Sequence, residues 1–200
     1  MRIFWMLVFV AMMAYVAWWL IGSIRKRIVF EVEMALGVGS LWAAIFVPML
    51  FDLPDLVPWP VALSLAGYAL LWLSIGLFVV TILSLRRGGK PTSGWEKTTV
   101  VATSGIHGLV RHPMQLSGIL GACGTAVWQP VLVVLVLSAV SVTCFALAAR
   151  AEDQFNVAKF GEPYRVYMQQ VPALNLLAGI WAKLRSRKEP SENTGGESNG

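Results

Sequence analysis

Five apolar stretches separated by short polar segments dominate this chain, and that alternation admits very few folds. Ile3 to Ile21 is almost unbroken hydrocarbon and ends at Arg25, Lys26 and Arg27. A secretory signal has a shorter core and a small-residue cleavage site, so this run reads as an anchor with a basic stop. Met34 to Leu50 is entered past Glu31 and Glu33, and the Asp- and Pro-rich segment from Phe51 to Pro60 reads as a short rigid loop. Val61 to Leu85 follows, stopped by Arg86, Arg87, Gly88, Gly89 and Lys90. Met114 to Trp128 is short for a full crossing, and Gln129 and Pro130 form a turn into Val131 to Ala149. The expected fold is therefore an all-α integral membrane protein with five transmembrane helices, a C-terminal helical hairpin over 114–149, and cytosolic amphipathic helices beyond it.

Composition closes the other routes. Charged residues are 14% of the chain against roughly 25% in a soluble domain, and mean hydropathy is +0.65. A soluble enzyme, a disordered chain and a nucleic-acid binder are excluded. Cys123 and Cys144 lie inside apolar runs and read as small buried hydrophobes, with no disulfide framework or metal site expected. Five crossings put 25–33, 86–112 and 150–200 on one side, and of the 16 Lys and Arg residues all but Arg2 fall there. By the positive-inside rule the N-terminus is then outside and the C-terminus cytosolic, and the expected location is a bacterial inner membrane. The chain divides into a three-span scaffold (1–90), a catalytic, cofactor-binding half (91–180) and a disordered tail (181–200).

Chemistry is sparse in the first three spans. Ser64, Tyr68 and Ser74 read as packing hydroxyls, and the tryptophans as interfacial anchors. The segment from Thr103 to Gln115 is richer, bringing His107, Arg111 and His112 to the mouth of the fourth helix. Pro113 suits the first helical position and His112 the cap. The free N–H groups of such a helix start can hold an anionic group, whereas a plain basic loop would snorkel to headgroups. Gly105 and Gly108 permit unusual backbone angles or close ligand approach. Glu152 and Asp153 lie just past the fifth span, where carboxylates are costly unless they face a cation or donors. A helix is expected to stop at Gly161 and another to cover Tyr164 to Gln170, with Phe155, Phe160, Tyr164, Tyr167 and Val171 giving an aromatic, amphipathic surface, some of whose phenylalanines can lie on lipid. Ser117, Gly118, Gly121, Ala122 and Thr125 form a small-residue face, suited to helix packing or to a ligand tail.

The order Gly105-Ile106-His107, Arg111-His112-Pro113, apolar hairpin, Glu152-Asp153, then Phe160-Gly161, Tyr164, Tyr167 and Val171-Pro172 resembles the isoprenylcysteine carboxyl methyltransferase family, which also takes in phospholipid and thiol methyltransferases. The resemblance covers roughly 99–175. It implies a membrane enzyme transferring methyl from S-adenosylmethionine to a lipophilic small molecule or lipid-anchored acceptor, with membrane lipids as its surroundings. It implies Arg111, His112 and Glu152 as catalytic residues. The cofactor would be held by Val101, Ala102, Gly105, His107, His112, Pro113, Met114, Gln115, Glu152 and Asp153. Tyrosine is usual in the family where His107 and Gln115 stand, and the isoprenylcysteine enzymes carry an arginine where Ala148 stands. An alternative is a nicotinamide-dependent (NADPH) membrane reductase of the sterol or steroid type, which has a similar His-Pro signature but usually Asn-Tyr after it, where this chain has Met114-Gln115. A haem- or metal-handling subunit would have only His107 and His112 to use.

Overall fold

The computed structural model describes residues 1–88 and 100–188. Among these residues every regular element is helical: α1 (Arg2–Lys26), α2 (Val29–Phe51), α3 (Val61–Gly88), α4 (Pro113–Trp128), α5 (Leu132–Phe160), α6 (Glu162–Gln170) and α7 (Leu176–Lys188), with a 3-10 turn at Gly105–Gly108 before α4. Four of them, α1, α2, α3 and α5, are long and apolar enough to cross a membrane. Their outward faces expose large hydrophobic residues such as Trp18, Leu65, Trp72 and Val136. Such faces are stable only where the surrounding solvent is itself apolar. The chain is a multi-pass membrane protein.

The fourth of the five expected crossings is the 16-residue α4. At 1.5 Å per residue it spans about 24 Å, less than the roughly 30 Å of a hydrocarbon core. It is packed on several sides, lying along α3 and against α2 and α5. Its small residues explain the fit: Ser117, Gly118, Gly121, Ala122 and Thr125 are all buried in helix contacts, and none lines the cavity described below. A Cβ on Gly67 of α3 would stand 2.3 Å from the Trp128 backbone nitrogen, and one on Gly118 would stand 2.4 Å from the Phe145 ring of α5. Approaches that close need a residue without a side chain. Ser74 then donates to the Ser117 carbonyl at 2.8 Å, and Ser141 of α5 donates to the Gly37 carbonyl of α2 at 2.9 Å. The opposite face of α4 is unpartnered, so Cys123 is exposed rather than buried as expected; both cysteines are free.

Chain direction follows from the connections. Arg27 and Ile28 make the whole turn between α1 and α2, which starts early enough to place Glu31 in its first turn. Glu31 is buried and accepts from Ser23 at 2.8 Å. Arg2 pairs with Asp52 at the far ends of the two helices. The 52–60 loop reaches over the α4–α5 junction, where Leu56 N–H donates to the Pro130 carbonyl at 3.0 Å and Trp59 donates to the Val127 carbonyl at 2.9 Å. The polar groups singled out from the sequence collect at the other pole.

Two boundaries differ from expectation. The fifth span and the helix after it are one continuous α5, because no residue between Leu132 and Phe160 interrupts it; it stops at Gly161, whose φ of 66° suits glycine. Helix α7 runs into the segment expected to be a tail, since Leu176–Lys188 can dock where Gly179 meets the Leu109 backbone. The rest of that tail, and residues 89–99, lie outside the described residues.

Replacing Gly67 with valine should lower the thermal midpoint in detergent by an amount equivalent to about 1–3 kcal/mol of overpacking. Gly76→Ala, on the same helix with nothing within 4 Å of its Cβ position, should leave the midpoint unchanged.

Candidate active site

The start of α4 and the end of α5 meet through paired charges. Arg111 and His112 are consecutive, as are Glu152 and Asp153, so one pair can face the other without any further turn of the chain. His112 directs Nε2 at Asp153 Oδ1 (2.8 Å) and Nδ1 at Glu152 Oε2 (3.2 Å). A neutral imidazole has one N–H and could satisfy only one of these acceptors; with both occupied, the ring is an imidazolium. Burial opposes that charge, but the bonds to Asp153 and Glu152 outweigh it and raise the His112 pKa to about 9.

Arg111 is equally committed. Its guanidinium donates to Asp153 Oδ2 at 2.9 Å and to the carbonyls of Met168 and Val171 at 2.7 and 2.8 Å. The last two are end-of-helix carbonyls of α6, which otherwise lack partners. The backbone follows the side chain: Arg111 N–H donates to the Pro172 carbonyl and His112 N–H to that of Ala173, at 2.9 and 3.0 Å. Tyr164 completes the set by donating to Asp153 Oδ1 at 2.8 Å. Two cations and two carboxylates cancel, which removes most of the cost of holding them out of water.

An open cavity lies beside this cluster. Of the residues picked out from the sequence, Val101, Ala102, His107, Arg111, Pro113, Met114, Gln115 and Glu152 line it. His112, Asp153 and Gly105 do not. His112 is 1% exposed and lies beneath the wall; Asp153 is 16% exposed and is saturated by Arg111, His112 and Tyr164. Gly105, at φ 63°, serves the backbone turn. Glu152 is the exception among the four charges. Its Oε2 accepts from Gln115 and from His112, yet the side chain stays 28% exposed toward the cavity.

The cavity is not confined to the C-terminal half. Phe30 and Met34 of α2 and Thr81 and Leu85 of α3 also line it. Nothing in those apolar runs distinguished these residues from lipid-facing neighbours. A partial signal existed for Phe30 and Met34, which sit beside the Glu31 and Glu33 that open α2. Tyr164 and Tyr167 are buried; Tyr167 donates to the His107 carbonyl at 2.6 Å and both face the cavity. Phe155 and Phe160 line it as well, so aromatic faces surround the one exposed carboxylate.

This arrangement belongs with a sequence match. Residues 63–163 match the family model described as phospholipid methyltransferase. The chain belongs to the phospholipid methyltransferase family. No curated protein matches it, and no solved structure does. The matched region begins in α3 and ends in α6, so it takes in both charged pairs and the whole of α4. The molecule is thus a membrane methyltransferase by family, and the match lends nothing to the reductase alternative.

Because the His112 pKa is raised on folding, its contribution to stability is full below the unfolded value of 6.5 and disappears as pH climbs through about 9. The protein should therefore lose stability across that window, by something on the order of 3 kcal/mol. Unfolding measured in detergent between pH 6 and 9.5 checks this. The slope should be largely absent in His112→Gln, which keeps a donor but cannot titrate.

Proposed function

We propose that this protein is an S-adenosylmethionine-dependent methyltransferase with a lipophilic acceptor, and that the cavity between α4, α5 and α6 is its cofactor site. The observation that carries the reading is Glu152: a carboxylate held in place by His112 and Gln115, exposed to an aromatic-lined cavity, in a chain of methyltransferase family. S-adenosylmethionine would supply a methyl group made electrophilic by its sulfonium.

The residues fit the parts of that cofactor. Glu152 suits its ammonium as a charge-assisted acceptor. Its carboxylate needs donors, and both terminal nitrogens of Arg111 are engaged with Asp153 and α6. The N–H groups of Met114 and Gln115 remain, since the α4 start has no side-chain cap and both residues line the cavity. Phe155, Phe160, Tyr164 and Tyr167 offer faces for a ring and for a cationic sulfur. On this reading Arg111, His112 and Asp153 position Glu152 and the α4 start instead of touching cofactor. Catalysis then rests mainly on alignment and exclusion of water. Phe30 and Met34 on α2 give the cavity an apolar wall suited to a lipophilic acceptor.

Calorimetry of the detergent-purified protein with S-adenosylhomocysteine tests the site. Saturable binding is expected, weakened roughly ten- to hundredfold in Glu152→Gln, the worth of a charged hydrogen bond. Binding of NADPH and not of S-adenosylhomocysteine would overturn the assignment.

We also propose that α4 completes a fifth crossing, with the site at the cytosolic pole. The basic runs Arg25–Arg27 and Arg86–Arg87 lie at the ends of α1 and α3, and the positive-inside rule puts such runs in the cytosol. Single cysteines placed at Asp55 and at Lys159, in a background without the natural cysteines, should be labelled by an impermeant maleimide only from the outside and only after permeabilisation, respectively.

A further inference from the structure

His107 stands apart from the paired charges. It sits in the 3-10 turn before α4, is buried, and lines the cavity. Its Nδ1 lies 3.3 Å from Ser84 Oγ near the end of α3, and the same Oγ lies 3.2 Å from the Ser104 carbonyl oxygen. The hydroxyl has one hydrogen, and a carbonyl can only accept. Ser84 therefore donates to Ser104 and accepts from His107, so Nδ1 carries the ring proton and Nε2 keeps the lone pair. Gly105 makes the contact possible: a Cβ there would stand 2.6 Å from Ser84 Oγ. Tyr167 holds the same turn from the α6 side through the His107 carbonyl.

The other candidate proton acceptors around the cavity are occupied. Both nitrogens of His112 face carboxylates, and Asp153 takes bonds from Arg111, His112 and Tyr164. Glu152 takes bonds from His112 and Gln115, and on the reading above its exposed side binds the cofactor ammonium. The tyrosine hydroxyls are themselves donors. Several groups face His107: Glu152 from α5, His112 from the α4 cap, Ser84 from α3 and Tyr167 from α6. From α7, Lys183 Nζ lies 3.8 Å from where a Cβ on neighbouring Gly108 would stand. Burial lowers the His107 pKa below the usual histidine range, with Glu152 opposing and His112 reinforcing. The ring is neutral at physiological pH.

We propose that His107, fixed in one tautomer by Ser84, is the general base that removes a proton from the methyl acceptor. The acceptor is then a protic nucleophile, with N–H or S–H at the reacting atom, and not a carboxylate. The acceptor gives its proton to His107 Nε2 and keeps the electron pair. That pair forms the bond to the methyl carbon as the methyl–sulfur bond breaks, its electrons returning to sulfur, which becomes an uncharged thioether. The imidazolium afterwards releases the proton to water. Ser84 is a positioning residue, acting only through His107. This inference rests on the cofactor reading above.

The chain has two histidines, so ¹⁵N-histidine NMR of the full-length protein resolves both, and His107→Gln assigns them. His107 should show the Nδ1–H tautomer in the wild type and a mixture in Ser84→Ala. Methyl transfer is then followed to phosphatidylethanolamine vesicles, to a long-chain alkyl thiol and to a prenylcysteine carboxylate. His107→Gln should lower kcat on the amine or thiol about a hundredfold or more, within the range for general-base catalysis. It should also abolish the acid limb of the pH profile while keeping S-adenosylhomocysteine affinity within about twofold. Ser84→Ala should lower kcat about tenfold and displace that limb. Three results overturn the proposal: an Nε2–H tautomer in the wild type, equal loss of affinity and rate in His107→Gln, or turnover of the carboxylate alone. A wild type that binds no S-adenosylhomocysteine overturns the cofactor reading with it, whereas normal binding with the wrong tautomer overturns this inference alone.

Discussion

Two consecutive cations at the start of α4 face two consecutive carboxylates near the end of α5, and the rest of the polar pole is arranged around that contact. Each charge is nearly or largely withdrawn from water; the Arg111 side chain is 9% exposed. Any one of them alone at that depth would be expensive. Together they cancel, and α6 carbonyls, Tyr164 and Gln115 take further bonds from or to them. The cluster ties three elements, α4, α5 and α6, at one point. It leaves a single carboxylate, Glu152, partly open to the cavity.

Structural and chemical duties separate along this line. Arg111, His112 and Asp153 bond to one another and to Tyr164, while the buried Arg111 Nε has no hydrogen-bond partner. Glu152, the open start of α4 and the aromatic residues of α5 and α6 face inward. His107 belongs to neither group, because its partner is Ser84 on α3 and not a charge. Gly105 illustrates the same separation. It matters because its missing side chain admits Ser84, and it has no surface in the cavity.

Much of the architecture was legible because lipid imposes simple rules. A long apolar run must become a helix to satisfy its own backbone, so α1, α2, α3 and α5 follow from run length alone. Pro113 marked the start of α4, and Gly161 marked the end of α5. The junction at Ala149–Arg150 misled, since a change from apolar to polar residues marks the edge of the membrane and not the end of a helix. Of the site, the Arg-His and Glu-Asp pairs were legible as residues needing partners. Which atom meets which was not: nothing in the sequence placed His112 buried between the carboxylates of Glu152 and Asp153.

By itself the sequence determined the helical class, the pole at which the charges gather, and the requirement that Glu152 and Asp153 meet cations, since burial energies depend on residue type and run length. Only the tertiary structure decided that Phe30, Met34 and Ser84 join the site, that Tyr164 and Tyr167 are buried, and that Glu152 is the carboxylate left open. Those outcomes depend on helix rotation and crossing. In lipid these are set by glycine-width contacts such as Gly67 on Trp128 and Gly118 on Phe145, whose partners lie far apart in the chain and leave no periodic trace in it.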